Sequence, residues 1–123
     1  MNVNSKYSQI KAIKDPKIKE KVKKIKNNSD IYNLIDLYIK NPKNIMRSKW
    51  PCPTYSFSKI LLHQYSIINN MISVDPGWIK TDMGGKSAKS EIFSGVLSIT
   101  YPIFNEISQK YRKSILYNGK PNN

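Results

Sequence analysis

The chain is poor in glycine, cysteine, histidine and acid. Five glycines are scattered over 123 residues, and the only adjacent pair is Gly84-Gly85. A turn in which several close glycines let backbone N–H groups cradle a diphosphate at a helix N-terminus is therefore missing. A single cysteine, Cys52, excludes an internal disulfide and a Cys-rich zinc site, and makes a reducing compartment the expectation. The one histidine, His63, has neither a carboxylate nor a second metal ligand beside it in sequence and reads as structural. No apolar run approaches the roughly 20 residues that span a bilayer. Met1–Lys6 lacks the apolar stretch of a secretory signal, so a cytoplasmic protein is expected.

Acid is the deepest shortage. Eight Asp and Glu face 21 Lys and Arg, a formal net charge of +13. Lys17, Lys19, Lys21, Lys23, Lys24 and Lys26 crowd one short stretch. Isoleucine, asparagine and lysine are over-used along the whole chain, so this stretch reads first as a solvated basic helix, and nucleic acid is not an expected partner. The alternative is a basic module that binds nucleic acid or an anionic membrane.

What is present alternates between short apolar runs and helical patterns. Met1 to Ser5 reads as the tail of a strand. Asp15-Pro16 predicts a helix start, with Ile18, Val22 and Ile25 as its apolar stripe. Ser29 or Asp30 is expected to cap a second helix, with Ile31, Leu34, Ile35 and Tyr38 on its inner face, ended by Asn41-Pro42. Residues 43–53 read as a loop. A third helix is expected from Thr54 to about Ile68, then a short buried strand at Met71–Val74 stopped by Pro76-Gly77. A long loop from Trp78 to Lys89 leads into an apolar helix from about Ser90 to Tyr101. A last strand at Ser114–Tyr117 runs into Asn118-Gly119, and Pro121-Asn122-Asn123 is expected to fray. Strands separated by helices argue a parallel α/β sheet, with functional residues beyond the strands' carboxyl ends.

On the third helix, Tyr55-Ser56-Phe57-Ser58-Lys59 sets a phenol and an ammonium on one face, four residues apart. A cation beside a phenol favours phenolate, which otherwise forms near pH 10. Tyr55-x-x-x-Lys59 with Ser58, Pro76-Gly77-x-Ile79-x-Thr81, and the opening Asn2-Val3-Asn4-Ser5 together resemble the C-terminal half of a short-chain dehydrogenase/reductase. Trp50-Pro51, a helical insertion over 15–47, Trp78–Gly85 and the closing Tyr117-Asn118-Gly119-Lys120-Pro121 are similar to the carbonyl-reductase-like subgroup. The resemblance covers almost the whole chain as one partial domain, 1–123, and implies an incomplete Rossmann-type parallel sheet.

It also implies a chemistry: hydride transfer from NADPH to a small carbonyl substrate. Tyr55 would donate the proton, Lys59 would favour the phenolate and hold the nicotinamide ribose, and Ser5 would hydrogen-bond the carbonyl oxygen. Pro76, Gly77, Ile79, Lys80 and Thr81, with Tyr55 and Lys59, would hold the coenzyme. The family's glycine-rich turn, its first four strands and its catalytic asparagine are absent, and the segment from Tyr55 to Pro76 is shorter than the family's by about ten residues. The expectation is a truncated, reductase-like chain without activity of its own, marginally stable because one sheet edge is stripped. The alternative is an active enzyme once a complementing N-terminal half is supplied.

Overall fold

A computed structural model describes residues 1–47 and 52–122. The chain divides into two compact units, one of Met1–Lys6 with Asn70–Asn123 and the other Tyr7–Asn69. The expected helical segment 15–47 lies within the second. Trp50-Pro51, part of the subgroup resemblance, lies outside the described residues.

The first unit is a small α/β layer. Its four-stranded sheet has the order β1 (Asn2–Val3), β2 (Ser73–Val74), β3 (Ile115–Tyr117), β4 (Lys120–Pro121). The first three strands are parallel, with Asn2 opposite Ser73 and Ser73 opposite Ile115. The sheet is mixed because β4 turns back antiparallel to β3. Asn118 and Gly119 both have positive φ, +47° and +74°, the geometry of the tight hairpin that Asn-Gly favours. A Cβ at Gly119 would fall 2.1 Å from the Tyr101 ring, so only glycine closes this turn. Of the Pro121-Asn122-Asn123 segment expected to fray, Pro121 and Asn122 are instead tied into the sheet, and Asn123 lies outside the described residues. Pro121 is accommodated on an edge strand, and the Asn122 N–H donates to the Ile115 carbonyl at 2.8 Å.

Helix α5 (Ile92–Phe104) connects β2 to β3 and runs three residues beyond the expected end. Its buried residues are Gly95 and Ser98, not its large apolar ones. Ile92, Phe93, Val96, Leu97, Ile103 and Phe104 are 47–80% exposed. Ser98 explains the orientation: its hydroxyl donates to the Asp75 carbonyl at 2.7 Å and accepts from the Asn118 N–H at 3.2 Å. The helix thus turns its small polar face to the strand ends and its greasy face outward.

The second unit is helical. Helix α1 (Pro16–Lys23) opens as expected, with the Asp15 carboxylate accepting from the N–H groups of Lys17 and Ile18. For α2 (Asn28–Lys40) the expected cap is corrected. Asn27 caps the helix and Asp30, three residues on, answers it by accepting the Asn27 N–H, a capping box. Pro42 ends α2 but also opens a further turn, α3 (Pro42–Ile45), where a loop was expected; proline's fixed φ suits the first helical position. Helix α4 (Pro53–Ile68) follows. Ile13, Ile18, Val22, Leu34, Met46, Phe57 and Ile60 belong to one buried cluster among these helices. At about 25 cal/mol per Å² of apolar surface, such burial is the main stabilising term.

Among the described residues, no helix is long and apolar enough to cross a membrane. The capping box leads to a direct expectation. Asn27→Ala should lower stability by about 1 kcal/mol, read as a lower urea midpoint with an unchanged slope; an unaltered midpoint would mean that Asn27 caps nothing in solution.

Candidate functional site

Helix α2 fixes the start of α4. Tyr38 stacks on Phe57 with ring centroids 4.3 Å apart, and its hydroxyl lies 2.9 Å from Thr54 Oγ1. With Phe57, Ile60 and Leu61 turned into the core, Tyr55 is left 47% exposed and Lys59 half-buried on another face. The Lys59 ammonium lies over the Tyr55 ring, 5.7 Å from its centroid, within the range of a cation–π contact. Ser58 donates its hydroxyl to the Tyr55 carbonyl at 2.7 Å, a bond inside the helix that leaves the Tyr55 hydroxyl unconstrained by it. Tyr55 and Lys59 are thus brought together as the i, i+4 spacing implies.

The remaining expected residues belong to the other unit. Ser5 follows β1 and is buried. Pro76 and Gly77 follow β2, so both segments sit past the carboxyl ends of neighbouring parallel strands. Asp75 ties them. Its side chain, on a residue only 4% exposed, accepts from the Lys6 N–H at 2.9 Å, the Gly77 N–H at 2.8 Å and Asn122 Nδ2 at 2.8 Å. Its backbone N–H reaches Leu116 at 2.8 Å. Sequence reasoning passed over Asp75, and the available signal was an acidic residue directly before Pro-Gly at a buried strand end. Such an Asp commonly folds back onto the N–H two residues on.

The loop after Gly77 closes on itself. Ile79 pairs with Ser90 in a short parallel bridge, through bonds from Lys80 N–H to the Ser90 carbonyl and from Ser90 N–H to the Trp78 carbonyl. Trp78 Nε1 donates to the Gly84 carbonyl at 2.9 Å, and the Gly84 N–H donates to Thr81 Oγ1 at 3.1 Å. Gly84 approaches so closely that a Cβ there would lie 1.9 Å from the Ile79 carbonyl oxygen. Lys80 forms an ion pair with Glu91. Lys80, Thr81, Asp82, Gly85 and Lys86 line an open depression of about 480 Å³. Among the described residues, no group of three His, Cys, Asp or Glu side chains could hold a metal ion.

Against known proteins, no family model matches this chain and no curated protein matches it.

The Asp75 geometry can be tested. Asp75→Asn turns one acceptor oxygen into a donor facing N–H groups, and each buried group left unsatisfied costs about 1–3 kcal/mol. The expected result is a clear drop in the urea midpoint together with faster hydrogen exchange at the Lys6 and Gly77 amides. Unchanged exchange at both amides would show that the carboxylate does not hold them.

Proposed function

We propose that this chain carries the proton-handling segment of a short-chain dehydrogenase/reductase of the carbonyl-reductase-like kind, on part of a Rossmann-type sheet, and has no reductase activity by itself. Two features support the family reading. The strand order β1-β2-β3 is parallel, with Ser5 and Pro76-Gly77 beyond adjacent carboxyl ends, the position at which such sheets carry their sites. Tyr55 and Lys59 meet on one face of α4. In an enzyme of this class Tyr55 would hold the proton destined for the substrate oxygen, Lys59 would favour its release, and Ser5 would hydrogen-bond that oxygen.

The observation that carries the inactivity is the loop from Trp78 to Lys89. By resemblance, Pro76, Gly77, Ile79, Lys80 and Thr81 would hold the nicotinamide end of NADPH. Gly84 instead crowds the Ile79 carbonyl, Thr81 Oγ1 accepts from within the loop, and Lys80 is engaged by Glu91. The 123 residues contain no glycine-rich turn for the diphosphate. These contacts support the reading that the chain by itself does not hold the coenzyme.

Titrating the chain into NADPH and following coenzyme fluorescence should show no saturable binding up to about 1 mM, the weak limit of roughly −4 kcal/mol. Turnover of a small aldehyde or ketone that appears only when the dinucleotide-binding half of a family reductase is co-expressed would support the reading, provided that Tyr55→Phe reduces it by about 100-fold or more. Carbonyl-dependent NADPH oxidation by the chain alone, abolished by the same substitution, would overturn it.

A further inference from the structure

The basic residues are not spread evenly between the two units. Tyr7–Asn69 holds 13 of the 21 Lys and Arg but only four of the eight acids, a formal +9. The acids there are mostly used locally. Asp15 caps α1, Asp30 closes the capping box on α2, and Glu20 is held by Lys23 at 2.9 Å. The Lys23 hydrogen bond keeps the Glu20 carboxyl below the usual carboxylate range. Only Asp36 has no such bond among those described.

Helix α1 turns Ile18 and Val22 into the core, with Ile25 buried just beyond it. On a 3.6-residue helix the lysines then fall in two rows flanking that stripe, Lys17 with Lys21 and Lys19 with Lys23. The fold adds cations that the sequence keeps apart. An antiparallel bridge between Ile13 and Met46 brings a second chain segment alongside the approach to α1. Lys14 N–H donates to the Ile45 carbonyl at 2.7 Å, and Arg47 Nε donates to the Lys11 carbonyl at 2.9 Å. Lys11, Lys14, Lys43 and Arg47 are all exposed. The exposed cations at the bridge therefore come from two distant parts of the chain, one of which, carrying Lys11 and Lys14, leads directly into α1.

We infer that this surface, formed by α1 and the Ile13–Met46 bridge, binds the phosphodiester backbone of nucleic acid without sequence preference. Lysine ammonium groups are mobile point charges that suit phosphates, whereas base reading commonly relies on the planar fork of arginine, and only Arg47 supplies one in this surface. A membrane surface fits less well. A helix that lies in a bilayer interface needs an apolar face to insert, and the aliphatic residues of α1, Ile18 and Val22, are buried in the unit's own core. The exposed apolar helix α5 belongs to the other unit and carries no basic residue between Ile92 and Phe104.

The test is fluorescence anisotropy of a labelled random-sequence DNA duplex across a salt series, with the whole chain. Each phosphate neutralised contributes about −0.9 to the slope of log affinity against log salt. Lys17→Gln, Lys19→Gln, Lys21→Gln and Lys24→Gln together should weaken binding at least about tenfold near 0.1 M salt and make the slope shallower by about three to four. A second variant, Lys11→Gln, Lys14→Gln and Lys43→Gln, should flatten the slope by about two to three, and an unchanged slope would overturn the two-part surface. Far-UV circular dichroism checks that each variant folds. The control, Lys89→Gln, Lys110→Gln, Lys113→Gln and Lys120→Gln, removes the same charge as the first variant from the other unit and should change affinity less than about threefold. Equal losses in the first variant and the control would overturn the proposal, since net charge alone would then account for binding. So would absence of duplex binding by the native chain, or preferential binding to phosphatidylserine vesicles, which would assign the surface to membranes.

Discussion

A single buried carboxyl group organises the α/β unit. Taking an acidic side chain out of water costs several kcal/mol unless hydrogen bonds replace its hydration. Asp75 meets that requirement with three N–H donors from three separate places: the residue after Ser5, the turn after β2, and Asn122 near the end of the chain. Strands of two or three residues supply few ladder bonds. Their register therefore leans on what happens at their ends, and the Asp75 side chain is the main fastening there.

The rest of the unit follows from that arrangement. With the side chain of Asp75 committed to β1 and the C-terminal hairpin, its carbonyl is left for Ser98, which sets the rotation of α5. The same serine accepts the Asn118 N–H, so helix, hairpin and strand end share one connected set of bonds. Gly119 lets the hairpin turn pass the Tyr101 ring. The loop carrying Ile79 and Thr81 closes separately, through Trp78, Gly84 and the bridge to Ser90. Trp78 Nε1, the Gly84 N–H and the backbone of Lys80 and Ser90 all find their partners within the loop.

Much of the element order could be read from the residues, because the punctuation is strong. Asp15-Pro16, Asn41-Pro42 and Pro76-Gly77 mark boundaries by mechanisms that do not depend on tertiary context. The i, i+4 relation of Tyr55 and Lys59 was legible for the same reason. Three things were not. The cap of α2 fell on Asn27 because Asp30 sits where it can reciprocate, which neither Ser29 nor Asp30 as the cap would allow. Strand β4 is two residues long and contains a proline, too little for a periodicity to register, although Asn118-Gly119 pointed to it. The inward face of α5 could not be inferred from hydrophobicity at all. It is decided by Ser98 and Gly95, against the rule that large apolar side chains face the core.

That inverted helix changes how the protein would respond to a common laboratory probe. Dyes such as ANS brighten on apolar surface, and strong emission is usually taken as the mark of a loosened, molten interior. Here the intact fold already offers Phe93, Leu97 and Phe104 to solvent on a well-formed helix. Bright emission from this chain would therefore report native α5, and only the loss of that signal on unfolding, set beside near-ultraviolet dichroism, would say anything about the order of its core.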